Sequence, residues 1–515
     1  MPPVPAAVID AKLRDADAMV SAGRFDHAAV ALRDIVTLAP RHAGAHAALG
    51  WVLGQMNRPV PGVEMLRKAV SLDGTRALYH YRLGTLLQRS GESDEALASF
   101  QRAIALNPKM PDPYGAAASV FERSSRPAAA AAMIERGITA VPGDAQLLAI
   151  RCGMQHRAGH SEAARDGLLS LINSSPPPPP EALARAFHTL GLVLDALRDY
   201  PRAFEAHRRC NDLRLTFPRE QSARARDELA PLIHMQCALP REFFERCAAE
   251  EPDDGLPTPA FLVGFPRSGT TMLENVLGAH PGVVATPERP MLHTATLELL
   301  RLAEASRQPL AQLLPSLDRA TLARLRGMYW NGVQREIEGE LGGRLLVDKF
   351  PLHVSRLGII NRLFPRARVL VAIRDPRDCV LSCFTQFFNP NPTMARMLTL
   401  EGAAEVYRAA MGLYLALKPS LTIATLEARY EETVADLPGR AEAMLSFLGL
   451  PWHENVLRPE DRARSTYVGT PSWQRVSGAV DTKRAGRWPN YSDQLEPVLP
   501  VLRPFIEAFG YTPSP

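Results

Sequence analysis

Phe261-Leu262-Val263-Gly264-Phe265-Pro266-Arg267-Ser268-Gly269-Thr270-Thr271 decides how the second half of this chain folds. The run opening at Ala260 is short, apolar and uncharged, the pattern of a buried parallel strand. Met272-Leu273-Glu274-Asn275-Val276-Leu277 after it is amphipathic with helical period. Strand, loop and helix in that order aim the unpaired N–H groups of the helix start, with the positive end of its dipole, at an anion. Arg267 adds a fixed charge, and Ser268, Thr270 and Thr271 add hydroxyl donors around Gly269. The spacing Gly264-x4-Gly269 is that of a triphosphate-binding loop. Thr270, however, stands where the lysine that neutralises β- and γ-phosphates belongs, which disfavours a magnesium-dependent kinase or ATPase.

A second apolar, β-branched run, Ala367-Arg368-Val369-Leu370-Val371-Ala372-Ile373, reads as an inner strand. It delivers Arg374-Asp375-Pro376-Arg377-Asp378 at its carboxyl end, where open α/β sheets place ligands. Arg374 and Ser382 are expected to meet across the loop and first helical turns, and a guanidinium fork beside a hydroxyl suits a phosphate monoester. The competing reading of Arg374 is a surface ion pair with Asp375 or Asp378. Two phosphate sites on neighbouring strands call for a nucleotide carrying anions at both ends of its ribose.

These residues resemble the sulfotransferases that use 3′-phosphoadenosine 5′-phosphosulfate (PAPS). The likeness is to the branch of the tyrosylprotein sulfotransferases and their bacterial relatives fused to tetratricopeptide repeats. Further matches are Ala279-His280-Pro281, Asp348-Lys349-Phe350-Pro351-Leu352, Phe364-Pro365-Arg366-Ala367-Arg368, Arg429-Tyr430-Glu431-Glu432, Phe447-Leu448-Gly449-Leu450-Pro451-Trp452 and Gly486-Arg487-Trp488, over about residues 258 to 510. The resemblance implies that Arg267, Ser268, Gly269, Thr270 and Thr271 hold the 5′-phosphosulfate of PAPS, the co-substrate. It implies that Arg374 and Ser382 hold the 3′-phosphate, and that Tyr430 and Arg487 help to hold the nucleotide. Glu288 matches the catalytic base, and Lys349 and Ser472 match residues near the sulfuryl group. Pro287 and Arg289 flank Glu288 where relatives often have Gly-Glu-Leu or Glu-Glu-Thr. In-line transfer between two oxygens needs mainly positioning and charge stabilisation, so no metal is expected. A protein, peptide, glycan or small metabolite can each present the acceptor hydroxyl, and the tyrosylprotein likeness leans to a peptide tyrosine.

The first half is periodic. Pro40, Pro108, Pro142 and Pro176 lie on a 34-residue grid whose remaining node is Gly74. Twenty-four residues before the nodes stand Ala16, Gly50, Gly84, Ala118 and Cys152, and twelve before stand Ala28, Gly62, Ala96, Ala130 and Ala164. Small residues at these offsets let two antiparallel helices approach. Gly23, Asn57, Gly91, Ser125 and Gly159 tolerate the turn between them. Each unit resembles the tetratricopeptide repeat, with a sixth, degenerate unit from Leu190 to Pro218 set apart by a polyproline spacer at Pro176 to Pro180. The expected organisation is an all-α tetratricopeptide solenoid over 1–218 and a helical connector and linker over 219–257. An α/β P-loop-like sulfotransferase domain with a central parallel sheet follows over 258–515. Solenoids of this kind present a concave surface to a peptide or protein.

A chain of 515 residues is too long for one core. Its net charge of +4 is too weak for a general nucleic-acid binder, so anion binding must be local. Six cysteines without a CxxC pair argue against a disulfide framework or a thiolate zinc site and suit the cytosol. No uncharged apolar run is long enough for a membrane span. The alternative to an enzyme is a repeat scaffold whose α/β domain binds nucleotide without turnover.

Overall fold

In the first half, small residues and helix-stopping nodes recur together, and the helices follow them. The computed structural model describes residues 6–512 except 57, 125, 226–228, 230, 231, 234, 235, 237, 238, 251–253, 287, 338, 390 and 466–484. Hairpins pair α1 (Ala6–Ser21) with α2 (Phe25–Leu38), α3 (Ala43–Gln55) with α4 (Pro59–Leu72), and α5 (Ala77–Arg89) with α6 (Ser93–Leu106). They continue with α7 (Asp112–Arg123) and α8 (Pro127–Ala140), α9 (Ala145–Arg157) and α10 (Ser161–Ile172), and α11 (Pro180–Ala196) and α12 (Tyr200–Leu215). Gly23, Gly91 and Gly159 make their turns at φ of 69°, 88° and 91°, a region a β-carbon resists.

Helix contact within a hairpin depends on the missing side chains. A β-carbon on Gly50 would lie 2.7 Å from the Gly62 carbonyl oxygen, and one on Gly84 would lie 2.7 Å from the Phe100 ring. Gly50→Val is therefore expected to destabilise the solenoid by about 1–3 kcal/mol, the usual cost of overpacking. Thermal unfolding followed by circular dichroism checks this, and an unchanged Tm would show that α3 and α4 separate freely. The proline run ends inside α11, where Pro180 occupies the first turn and its missing N–H goes unneeded. Because α11 packs on α9 and α10, the run is a connector within the stack and the sixth hairpin does not stand apart.

The chain divides near residue 226 into two compact units. The second is built on five parallel strands in the order β2-β3-β1-β4-β5: β1 (Ala260–Gly264), β2 (Val283–Ala285), β3 (Leu345–Lys349), β4 (Arg368–Ile373) and β5 (Ala424–Arg429). Every residue of β1 is buried. Leu262 and Leu370 pack on one side against Val276, Leu277, Met444 and Leu445. Phe261 packs with Tyr329 and Phe364. The chain leaves β1 toward β2 on one side and leaves β4 toward β5 on the other, so the connections diverge between β1 and β4. Such a switch point opens a crevice at the strands' carboxyl ends.

The acidic Pro- and Gly-rich stretch before β1 is fastened rather than loose in its described part. Buried Arg326 donates to both oxygens of Asp254, at 2.7 and 3.0 Å, and to the Leu256 carbonyl at 2.8 Å. The Trp330 indole donates to the Pro257 carbonyl at 3.1 Å.

Candidate active site

The loop after β1 needs two backbone conformations that strands and helices do not supply. Arg267 has φ of 70° and Gly269 has φ of 99°. Gly269 sits immediately before the helix Thr270–Gly278, so its turn aims that helix's first N–H groups back at the loop. A β-carbon there would come within 2.6 Å of the Tyr430 ring. At Gly264 one would stand 2.6 Å from the Ala372 carbonyl of β4. Ser268 Oγ is buried and meets no hydrogen-bond partner among the described residues. Leaving such a hydroxyl unsatisfied costs about 1–3 kcal/mol, and an anion oxygen cradled by this loop would satisfy it. Gly269→Ala is expected to weaken nucleotide binding by about tenfold or more through left-handed strain of 1–3 kcal/mol and the Tyr430 clash. Calorimetric titration with adenosine 3′,5′-bisphosphate reads this, and an unchanged affinity would exclude the loop from the site.

The end of β4 meets this loop. Arg374 Nη1 donates to the Arg267 carbonyl at 3.2 Å, and Arg267 Nε donates to Ser382 Oγ at 3.0 Å. Arg374 and Ser382 are thus joined through Arg267, a residue of the other strand's loop. The Arg374 guanidinium stacks over the Tyr430 ring at 4.8 Å. Burial pulls the Arg267 pKa down, and the neighbouring Arg374 charge pulls the same way. Burial, the largest single influence, acts against charge on Arg374, but Asp378 together with Cys379, Tyr430 and Glu431 overcomes it and raises the pKa. Arg374 Nη2 does pair with Asp378 Oδ2, at 3.1 Å, as the competing reading held, yet the pair is buried rather than on the surface.

Lys349 closes β3, where its side chain is fully buried. Its backbone N–H donates to Thr286 Oγ1 at 3.0 Å, tying β3 to the loop after β2 that carries Glu288. Its ammonium stands 2.5 Å from Glu288 Oε2 and 2.9 Å from Glu274 Oε2. Burial opposes charge on Lys349, and the two carboxylates overcome it, so its pKa lies above that of an ordinary lysine. The Glu288 charge also acts on Arg267 of the anion loop, favouring its charged form. Ser472 lies outside the described residues.

Residues 259–454, which hold all five strands, match the profile of the sulfotransferase family, and residues 77–110 match the tetratricopeptide repeat. The chain carries a sulfotransferase domain fused to tetratricopeptide repeats. It is 26% identical over 345 residues to an uncharacterized protein of Aquifex aeolicus (strain VF5), covering 65% of this chain and 43% of that one. Nodulation protein NoeE of Sinorhizobium fredii is 29% identical over 133 residues, 24% of this chain and 30% of its own length. Protein-tyrosine sulfotransferase 2 of Gallus gallus is 23% identical over 275 residues, 49% of this chain and 69% of its own length. The chain spans less than half the length of the first two.

Two residues of the sulfotransferase domain do more than the sequence reading assigned them, which had Asp378 only as an alternative partner of Arg374. Asp378 is almost wholly buried and accepts the backbone N–H groups of Gly486, Arg487 and Trp488 at 2.9, 3.0 and 2.8 Å, besides pairing with Arg374. It therefore fastens the segment bearing Arg487 to the end of β4. Arg377, paired with Asp375 at 2.7 Å, stacks on the Trp488 ring at 3.5 Å and reinforces the attachment. The second is Glu274, whose only sequence signal is its place one helical turn after Thr270. Among the described residues, no group of three or more His, Cys, Asp or Glu side chains stands ready to hold a metal ion, and no helix is long and apolar enough to cross a membrane.

Proposed function

We propose that this protein transfers a sulfuryl group from PAPS to an acceptor hydroxyl. The observation that carries the reading is the joining of two cationic anion-binding elements, Arg267 after β1 and Arg374 after β4, at the switch point of one sheet. A donor with anions on both sides of its ribose matches that pairing. In this assignment Arg267, Ser268, Gly269, Thr270 and Thr271 take the 5′-phosphosulfate. Arg374 and Ser382 take the 3′-phosphate, with Tyr430 and Arg487 flanking the nucleotide. Glu288 accepts the acceptor's proton as the acceptor oxygen bonds to sulfur. The bond between sulfur and the bridging phosphate oxygen breaks, and Lys349, with Ser472 beside the sulfuryl group, balances the charge left on the departing 5′-phosphate.

The acceptor we assign is a hydroxyl of a protein or peptide, with tyrosine favoured by the names of the vertebrate relatives. The repeats of 1–218 recruit it, 219–257 connects, and 258–515 performs the transfer, in the cytosol and without a metal. Incubating the full chain with labelled PAPS and a cell extract tests the reading. We expect labelled product from the native chain, loss of about 10²–10⁴-fold in Glu288→Gln, and loss of adenosine 3′,5′-bisphosphate binding in Arg374→Ala. Nucleotide binding without any labelled product would instead identify a scaffold lacking turnover.

A further inference from the structure

We propose that Glu274 is a positioning residue of the transfer reaction, the standing counterion that keeps Lys349 charged and in place while Glu288 takes up the acceptor's proton. The inference rests on the sulfuryl-transfer reading above.

Two carboxylates share one ammonium here, and they are not equivalent. Glu288 lies on a loop and is 30% exposed, whereas Glu274 is 16% exposed and rides on the helix Thr270–Gly278. Its neighbours Leu273, Asn275, Val276 and Leu277 are buried and hold that helix against the sheet. The more accessible carboxylate suits proton uptake, and the helix-borne one suits a permanent partner. The charge count points the same way. With both glutamates ionised the trio carries one net negative charge. Proton uptake by Glu288 leaves the neutral pair of Lys349 and Glu274, which a buried site tolerates. Without Glu274, the same step would leave a lone buried ammonium, whose desolvation favours losing its proton. Lys349 would then lack the charge needed opposite the departing phosphate oxygen. Among the described residues, the cations whose charge acts on this trio are Arg267, which senses Glu288, and Arg462, which senses Glu274 and donates to the Gly278 carbonyl at 2.6 Å.

The test compares the native full chain with Glu274→Gln and Glu274→Asp. Removing a negative neighbour lowers the pKa of an ammonium, so activity that needs charged Lys349 should fail earlier as pH rises. We expect Glu274→Gln to bind adenosine 3′,5′-bisphosphate within about threefold of native, a difference under 1 kcal/mol. Its kcat should fall about 10–100-fold, with the alkaline limb of the pH profile moved about one unit or more toward lower pH. Glu274→Asp should recover part of both. A second readout needs no turnover. The chain has six lysines, so the side-chain carbon signal of Lys349 can be assigned by its loss in Lys349→Met and titrated by NMR. A lower titration midpoint in Glu274→Gln supports the proposal, and an unchanged midpoint overturns it even if no acceptor is ever found. Absence of transfer by the native chain would instead overturn the sulfuryl-transfer reading.

Discussion

Lys349→Met is expected to reduce transfer by about 10³-fold or more, because it removes a charge stabiliser worth about 2.7–4 kcal/mol and disables the base beside it. Lys349 is the shared partner of Glu274 and Glu288, at 2.9 and 2.5 Å. Without the ammonium, Glu274 and Glu288 lose the cation they share and repel each other across one partly buried space, so Glu288 is no longer held in place to accept a proton. Adenosine 3′,5′-bisphosphate binding, which the proposed function assigns to Arg374 and the loop after β1, should change by no more than about threefold, less than 1 kcal/mol. Initial rates at saturating donor check this, and more than about a tenth of native kcat, a loss below 1.4 kcal/mol, would exclude Lys349 from the chemistry.

Asp378→Ala is expected to destabilise the sulfotransferase domain by about 3–5 kcal/mol, the range for removing one partner of a buried ion pair. Asp378 holds the Arg374 guanidinium and three successive backbone N–H groups, at 3.1, 2.9, 3.0 and 2.8 Å. Its loss removes the shared acceptor of all four donors, leaves Arg374 held by the Arg267 carbonyl and the Tyr430 ring without its carboxylate, and loosens the backbone that carries Arg487. Nucleotide affinity should fall about 100-fold, which corresponds to 2.8 kcal/mol. Asp378→Asn, which keeps acceptor capacity and loses the charge, should fall between alanine and native. Thermal unfolding with and without adenosine 3′,5′-bisphosphate reads both effects, since a ligand that binds only the folded state raises Tm in proportion to its affinity. A full ligand-induced rise in Tm in the alanine variant would refute the role given to Asp378.

These two variants mark how far the site was legible before folding. Lys349 and Glu288 were found through a family likeness, and the anion loop through strand, glycine and hydroxyl order along a few consecutive residues. The backbone partners of Asp378, and the role of Glu274, were missed because those contacts are distant in the chain. The backbone groups on Asp378 lie 108 to 110 residues away. The link between Arg374 and Ser382 was expected to be direct. It instead runs through Arg267, 115 residues before Ser382, because β1 and β4 are neighbours in the sheet.

Local order along the chain sufficed for the helical hairpins, their 34-residue spacing and the strand-loop-helix turn at Gly264 to Thr271, because helix stops, glycine turns and apolar periods act over a few residues. Which carboxylates neutralise Lys349, what fastens the Arg487 segment, and how the two arginines meet were settled only by packing. Those relations depend on distances of a few ångströms through space, and the strand order of a sheet, rather than separation along the chain, sets them.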